Sequence, residues 1–187
     1  MPGDIFEKRE RAFESVFFAR LDEERIRALR EKRQKKEAQK ELARSTGIQD
    51  PDVLARILEL GADATTFQAL TLVPVVITAW ASGEVTDAER EAALRAAEEK
   101  GISKESGAHQ LLEAWLDEKP GPELEETWSQ YVRSVLEELD DDQRSALKTD
   151  VIHRCREVAK ASGGFLGIGE VSYAEATTIE RLSDAMS

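Results

Sequence analysis

The pattern of apolar and polar positions divides the chain into one long helix and a series of shorter ones. Residues 5–44 contain no glycine or proline and are rich in Ala, Glu, Lys, Arg and Leu, which favours a single helix. Residues 30–41 contain no large apolar side chain, so we expect this half of the helix to be solvated. The first half carries apolar residues at spacings that place them on one helical face: Phe6, Phe13, Val16, Phe17 and Leu21.

Beyond residue 47, helix-start signals recur at short intervals. The segment 67–81 is apolar nearly all round, which predicts a central buried helix, and Pro74 inside it predicts a kink. No segment alternates convincingly as a strand, so we expect an all-α protein with an arm at 1–47 and a domain of about seven helices at 48–187. The predicted helix starts are Asp50-Pro51, Thr65 or Thr66, Thr86, Ser103 or Ser106, Pro122, Asp140 to Asp142, and Ser172.

Two similar strings occur far apart in the chain. ASGEVTDAE begins at Ala81, and ASGGFLGIGEVSYAE begins at Ala161; without residues 164–169 the two nearly superimpose. Gly83 and Gly163 suit a left-handed helix end. The following Thr-x-x-Glu and Ser-x-x-Glu patterns are those of capping boxes, and capping alone explains most of the repeat.

A functional interpretation of the repeat uses its acidic residues. If the two turns pack as a pseudo-twofold pair, Glu84 and Glu89 of the first string would converge with Glu170 and Glu175 of the second. Clustered carboxylates either repel one another or bind a hard cation. Ligands that are all oxygen favour magnesium or calcium over zinc, so one hypothesis is a divalent-metal site.

The stretch AWASGEVTDAERE, together with ASGGFLGIGEVSYAE, resembles the TerB-like family of tellurite-resistance proteins. The resemblance covers about residues 50–186 and implies a helical domain with an internal duplication. It also implies a link to envelope or metal stress, and metal held by acidic residues at the turns. The turns of the family typically read A-x-x-D-G-x-[IV]-[ST]-x-x-E; its aspartate is Ser82 in one copy and Ser162 in the other, which removes two carboxylates from the implied site.

The insertion at 164–169 combines glycines with three apolar residues, Phe165, Leu166 and Ile168. These side chains would either fold back onto the core of the domain or form a tip that binds a partner. A phosphate-binding loop is not indicated, because no strand precedes the glycines and no Lys-Ser/Thr follows them.

The string FEKRERAFESVF, residues 6–17, resembles the start of the zeta subunit family of F-type ATPase inhibitors in alphaproteobacteria. A looser similarity extends to about residue 43. The resemblance implies that residues 6–17 insert into the catalytic head of the rotary ATPase and block rotation. The alternative is that this amphipathic helix docks on its own domain through its phenylalanines. The matching residues are Phe6, Arg9, Glu10, Arg11, Ala12, Phe13, Glu14 and Phe17.

Charge is divided unevenly along the chain. The net charge is -12, but residues 1–44 hold 13 basic and 10 acidic side chains, which leaves about -15 on the remainder. A strongly acidic body disfavours nucleic acid as the main partner. The basic half of the arm would instead be steered toward an acidic protein surface.

No residue pattern indicates catalysis. Cys155 is the single cysteine, so an internal disulfide is excluded and a reducing compartment is expected. His153 lies two positions from it, on a different helical face, and His109 has no partner at ligand spacing. The longest apolar segment is shorter than the ~20 residues of a membrane span.

The sequence thus predicts a non-enzymatic, cytoplasmic protein that does not span a membrane and that binds another protein. Inhibition of the rotary ATPase and divalent-metal binding are the two alternatives. Whether the arm docks on its own domain, on a second copy or on another protein is left open.

Overall fold

A computed structural model describes the backbone of residues 3–162 and 171–187, with side chains described for 23–161 and 171–187. Within these ranges every regular element is a helix, so the all-α prediction is confirmed. A 3₁₀ helix spans Phe67–Leu72. The α-helices are α1 (Gly3–Thr46), α2 (Pro51–Glu59), α3 (Val73–Ala79), α4 (Asp87–Glu99), α5 (Gly107–Asp117), α6 (Pro122–Glu137), α7 (Asp141–Ser162) and α8 (Tyr173–Asp184).

The chain divides into two compact units, residues 1–41 and residues 42–187. The division therefore falls inside α1. The physical reason is Leu42, which is fully buried in the core of the second unit. The last turn of α1 is thus part of the helical domain.

The apolar segment after α2 is divided into two helices. Its first part is the 3₁₀ helix, and Pro74 lies in the first turn of α3, so the prediction of one helix kinked at Pro74 is wrong. A proline in a first turn removes no helical hydrogen bond, because the N–H groups there have no partner within the helix. The buried side chains of this segment are Ala69, Leu70, Leu72, Val73, Pro74, Val75, Val76, Thr78 and Ala79.

Helix α3 is the centre of the domain. It packs against α4, α5, α6, α7, α8 and the 3₁₀ helix. The surrounding helices are amphipathic and turn one apolar face inward, as their 3.6-residue periodicity predicts. Three tryptophans contribute to the core: Trp115 and Trp128 are buried, and Trp80 is half-buried with its Nε1–H donating to the Trp115 carbonyl at 2.9 Å.

In the described part of the chain, none of the helices combines the length with the apolarity that crossing a bilayer requires.

Leu42 and Leu29 provide a test of where the domain begins. We expect Leu42→Ala to lower the free energy of unfolding by about 2–5 kcal/mol, because it opens a cavity in the core. Leu29 lies on the same helix but is 67% exposed, so Leu29→Ala should change stability by less than about 0.5 kcal/mol. Urea denaturation of both variants measures the difference, and equal effects would show that Leu42 does not belong to the core.

Candidate functional site

The first repeated turn begins α4 with a capping box. Thr86 is the N-cap residue, and its hydroxyl accepts a hydrogen bond from the Glu89 N–H at 3.3 Å. In return, Glu89 Oε2 accepts from the Thr86 N–H at 2.8 Å and from the Thr86 hydroxyl at 2.7 Å. The preceding Gly83 has a φ of 103°, in the left-handed region that glycine tolerates. The predicted helix stop and helix start are confirmed here.

The second repeated turn begins α8 in the same way. Ser172 is the N-cap residue, and its hydroxyl accepts from the Glu175 N–H at 3.2 Å. Glu175 Oε2 accepts from the Ser172 N–H at 2.6 Å. The capping box that the sequence predicts is therefore confirmed in both strings, while Gly163 lies outside the described residues.

The two capping glutamates lie against each other inside the domain. Glu89 is 0% exposed and Glu175 is 1% exposed. The Glu89 carboxyl lies within hydrogen-bonding and Coulombic reach of Glu175, and its Oε1 atom is buried without a donor among the described residues. The structure thus brings together one glutamate from each repeated string.

Burial is the largest effect on the pKa of Glu89 and raises it above its ordinary value. The hydrogen bonds from Thr86 oppose the shift, because they favour the ionised carboxylate. The negative charge of Glu175 adds to the rise. Glu89 therefore binds its proton more tightly in the folded chain than in the unfolded chain.

A buried thiol lies elsewhere in the same core. Burial raises the pKa of Cys155 to about 11, although a hydrogen bond with Thr78 and the charge of Arg154 oppose the shift. A thiol with that pKa is protonated at neutral pH and is a poor nucleophile. His153 is exposed, on another face of α7, so the two residues do not form a nucleophilic pair.

The other two carboxylates of the predicted metal site are not placed with this pair. Glu84 is exposed, and Glu170 lies outside the described residues. In the ranges that are described, no group of three or more His, Cys, Asp or Glu side chains could hold a metal ion. Ser82, which stands where the family pattern has aspartate, donates its hydroxyl to the Glu84 carbonyl at 3.0 Å. A four-carboxylate cation site stays a prediction.

The predicted partner-binding residues are only partly described. Phe6, Arg9, Arg11, Phe13 and Phe17 lie on the helical backbone of α1, but their side chains are outside the described set.

The predicted apolar tip, Phe165, Leu166 and Ile168, lies outside the described residues altogether. Farther along α1, residues 23–37 are exposed on every side of the helix. They include two large apolar side chains, Ile26 at 48% and Leu29 at 67% exposure. The only other large apolar side chain this exposed in the described chain is Tyr173.

The sequence did not identify His109 as a core residue. Its ring is buried, and neither ring nitrogen has a hydrogen-bond partner among the described groups; Nδ1 lies 3.5 Å from Glu113 Oε2. The missed signal is spacing, because His109, Leu112 and Leu116 share one face of α5. The nearby Arg90 pairs with Asp117 and with Glu113.

Comparison of the chain with protein-family models, with curated proteins and with solved structures found no significant match.

The capping hydroxyl of Thr86 gives a direct test of this site. We expect Thr86→Ala to lower the free energy of unfolding by about 1–2 kcal/mol, since it removes the acceptor for the Glu89 N–H and a donor to its carboxylate. Thr86→Ser keeps the hydroxyl and should retain most of the stability. Thermal or urea unfolding compares the variants, and an alanine variant as stable as the serine variant would contradict the capping role.

Proposed function

We propose that this chain is a non-catalytic module with a TerB-like, internally duplicated domain, which acts by binding a protein partner through its N-terminal helix. The observation that carries this proposal is the exposure of residues 23–37 on every side of α1. The resemblance of the repeated turns points to a role in tellurite, metal or envelope stress.

A helix normally buries one face, and each helix from α2 to α8 does so. Residues 23–37 cover about four turns without burying any face, and they leave Ile26 and Leu29 largely in water. Binding to a partner would remove these two apolar side chains from solvent. Tyrosine, leucine and isoleucine side chains exposed singly are common, so the argument rests on the whole length of the exposed segment.

The charge of the segment indicates what kind of partner fits. Arg30, Lys32, Arg33 and Lys36 are exposed and lie within two turns of the helix. A basic helix of this kind is complementary to an acidic protein surface, and such attraction mainly accelerates association and selects the partner.

The TerB-like assignment has support from the two turns. Each repeated string begins a helix with a capping box, and the two box glutamates are buried beside each other. This is the arrangement expected if the strings are equivalent parts of a duplicated domain. The protonated, buried state of Cys155 supports a role other than catalysis.

The main proposal is tested by removing the exposed apolar pair. We expect Ile26→Ser combined with Leu29→Ser to abolish capture of the partner while changing the free energy of unfolding by less than about 0.5 kcal/mol. The measurement is affinity capture from the source cells followed by mass spectrometry, repeated at high salt, which should weaken a basic–acidic contact.

Tyr173→Ser is the matched control, because Tyr173 is 89% exposed but lies on α8. A set of captured proteins that is the same for the wild type, the arm variant and the control would contradict binding through residues 23–37. Growth of a deletion strain on tellurite, with and without each variant, separately tests the stress role.

Inhibition of the rotary ATPase is a second candidate function. The observation that favours it is the backbone of α1, which is helical from Gly3 and therefore includes the zeta-like residues 6–17. The resemblance assigns residues 6–17 as the segment that inserts into the catalytic head.

The inhibitor function predicts a loss of ATP hydrolysis when purified F-type ATPase head is mixed with the intact protein. Phe13→Ser with Phe17→Ser should restore hydrolysis, because these residues match the family motif of the inserting segment. Tyr173→Ser should inhibit as well as the wild type. Full ATPase activity at a large excess of intact protein would exclude this candidate.

Divalent-metal binding has less support. Glu89 Oε2 and Glu175 Oε2 already accept hydrogen bonds from their own helix caps, and Glu84 is exposed. The metal function rests on Glu170 joining this pair and stays a prediction.

A further inference from the structure

We propose that Glu89 and Glu175 share a single proton across the junction of α4 and α8, and that this contact is a pH-sensitive latch that loosens when the proton leaves. The proposal concerns the folded domain and is independent of the partner-binding function.

The first argument is the use of the carboxylate oxygens. Glu89 Oε2 accepts two hydrogen bonds from Thr86, whereas Oε1 is buried with no donor in the described part of the chain. A buried acceptor without a donor is destabilising. A proton on Oε1 converts this atom into a donor, and Glu175 is the acceptor within reach. One proton therefore satisfies the orphaned oxygen and links the two helix starts.

The second argument is charge. Two ionised carboxylates in contact inside a protein repel each other strongly, and burial also disfavours each charge. The positive ends of the α4 and α8 dipoles stabilise negative charge at this position, but each is equivalent to only about half an elementary charge. One net negative charge between two helix starts is better matched to those dipoles than two.

The third argument concerns Glu89: no cation is among the described groups that shift its pKa. Helix α3 and the 3₁₀ helix contain no charged residue. On α4, Arg90 is paired with Asp117 and Glu113 of α5. The Nδ1 atom of the buried His109, on α5, lies 3.5 Å from Glu113 Oε2.

On α7, Arg154 pairs with Asp150, and the Cys155 thiol is protonated at neutral pH. Of the described charged groups, Glu175 alone influences the charge of Glu89. A proton is therefore the positive charge that can neutralise Glu89 at this contact.

The sign of the pH dependence follows from proton linkage. Glu89 binds its proton more tightly in the folded chain, so its contribution to stability is complete below its ordinary pKa of 4.5. The contribution is lost as the pH rises through the higher pKa of the folded state. Between the two pKa values, the equilibrium constant for unfolding increases by up to about tenfold per pH unit from this group.

Loss of the shared proton should affect the start of α8 locally as well as the stability of the whole domain. Loss of the proton places two negative charges at the starts of α4 and α8, and α8 is anchored further on by Thr178, Ile179 and Leu182. We therefore expect the first turn of α8 to open before the rest of that helix.

The experiment uses the full chain and three variants: Glu89→Gln, Glu175→Gln and, as a control, Glu84→Gln. Glutamine mimics the protonated carboxyl, because its amide can donate where the shared proton would lie. Urea denaturation from pH 5 to pH 9 gives the equilibrium constant for unfolding of each chain. We expect the unfolding constant of the wild type, divided by that of Glu89→Gln, to rise with pH by up to about tenfold per pH unit. Glu175→Gln should behave like Glu89→Gln.

The exposed Glu84 makes Glu84→Gln the reference for removing one charge, and it should follow the wild type at every pH. A pH-independent ratio between the wild type and both core variants would overturn the proposal.

A second measurement does not depend on the stability of any variant. The side-chain carboxyl carbons of ¹³C-labelled wild-type protein, assigned through the backbone, report the ionisation of each glutamate by NMR. We expect Glu89 to lose its proton at a pH above its ordinary pKa of 4.5, and amide hydrogen exchange in the first turn of α8 to accelerate as that proton is lost. Full ionisation of both Glu89 and Glu175 at pH 5 would overturn the proposal even if the glutamine variants failed to fold.

Discussion

Helix α3 and the 3₁₀ helix before it form a segment without charge, and its side chains are buried on nearly every side. Such a segment is stable in water only when other elements surround it, because each exposed Leu or Val would forgo about 1.5–3 kcal/mol of burial. Five other helices of the domain supply that cover, each with one apolar face. The arrangement of the domain follows from this requirement. The amphipathic helices are placed around an apolar axis, and their polar faces carry most of the acidic charge outward.

The same requirement places two helix starts in the interior. Helices α4 and α8 both pack on α3 and α7, and each begins with a capping box. The first N–H groups of a helix need acceptors, and a glutamate at the third position supplies one. At the surface this carboxylate would be hydrated. Here the packing buries both glutamates, so a local solution to helix capping produces an electrostatic conflict in the core.

The repulsion between the two buried side chains arises because both are glutamates, and so does its relief by a shared proton. A glutamine at position 89 or 175 could still accept the hydrogen bond from its cap, and it would carry no charge. The chain nevertheless has glutamate at both positions, one in each repeated string. A proton shared by the two acids satisfies the unpaired oxygen of Glu89 and halves the buried charge. It also makes the contact between two sequence-distant turns responsive to pH, which a pair of glutamines would not be.

The arm, unlike the domain, is not stabilised by apolar burial over residues 23–37. Its described side chains from residue 23 to residue 37 are exposed, and basic residues are concentrated there. No apolar face holds this part of the helix, so its helicity relies on intrinsic propensity and on local ion pairs such as Lys40 with Glu37 at 2.9 Å. Such a segment is suited to binding because its side chains are exposed on every face of the helix. The domain begins where apolar burial begins, at Leu42.

Local chemistry determined much of this structure. Asp50 with Pro51, Thr86, Ser106 and Ser172 begin helices as their sequences predict, because capping depends on residues within one turn. Pro74 was misjudged, since a proline is equally consistent with the middle of a kinked helix and with the first turn of a new one.

What the sequence alone could not decide is how distant segments meet. It proposed four converging carboxylates; the tertiary structure brings Glu89 and Glu175 together, leaves Glu84 in water and does not describe Glu170. The burial of His109 and the start of the domain inside α1 likewise emerge only in three dimensions. Caps and helical faces are set by neighbours within a few residues, whereas burial and charge at a junction depend on which helices share the same partner, here α3 and α7.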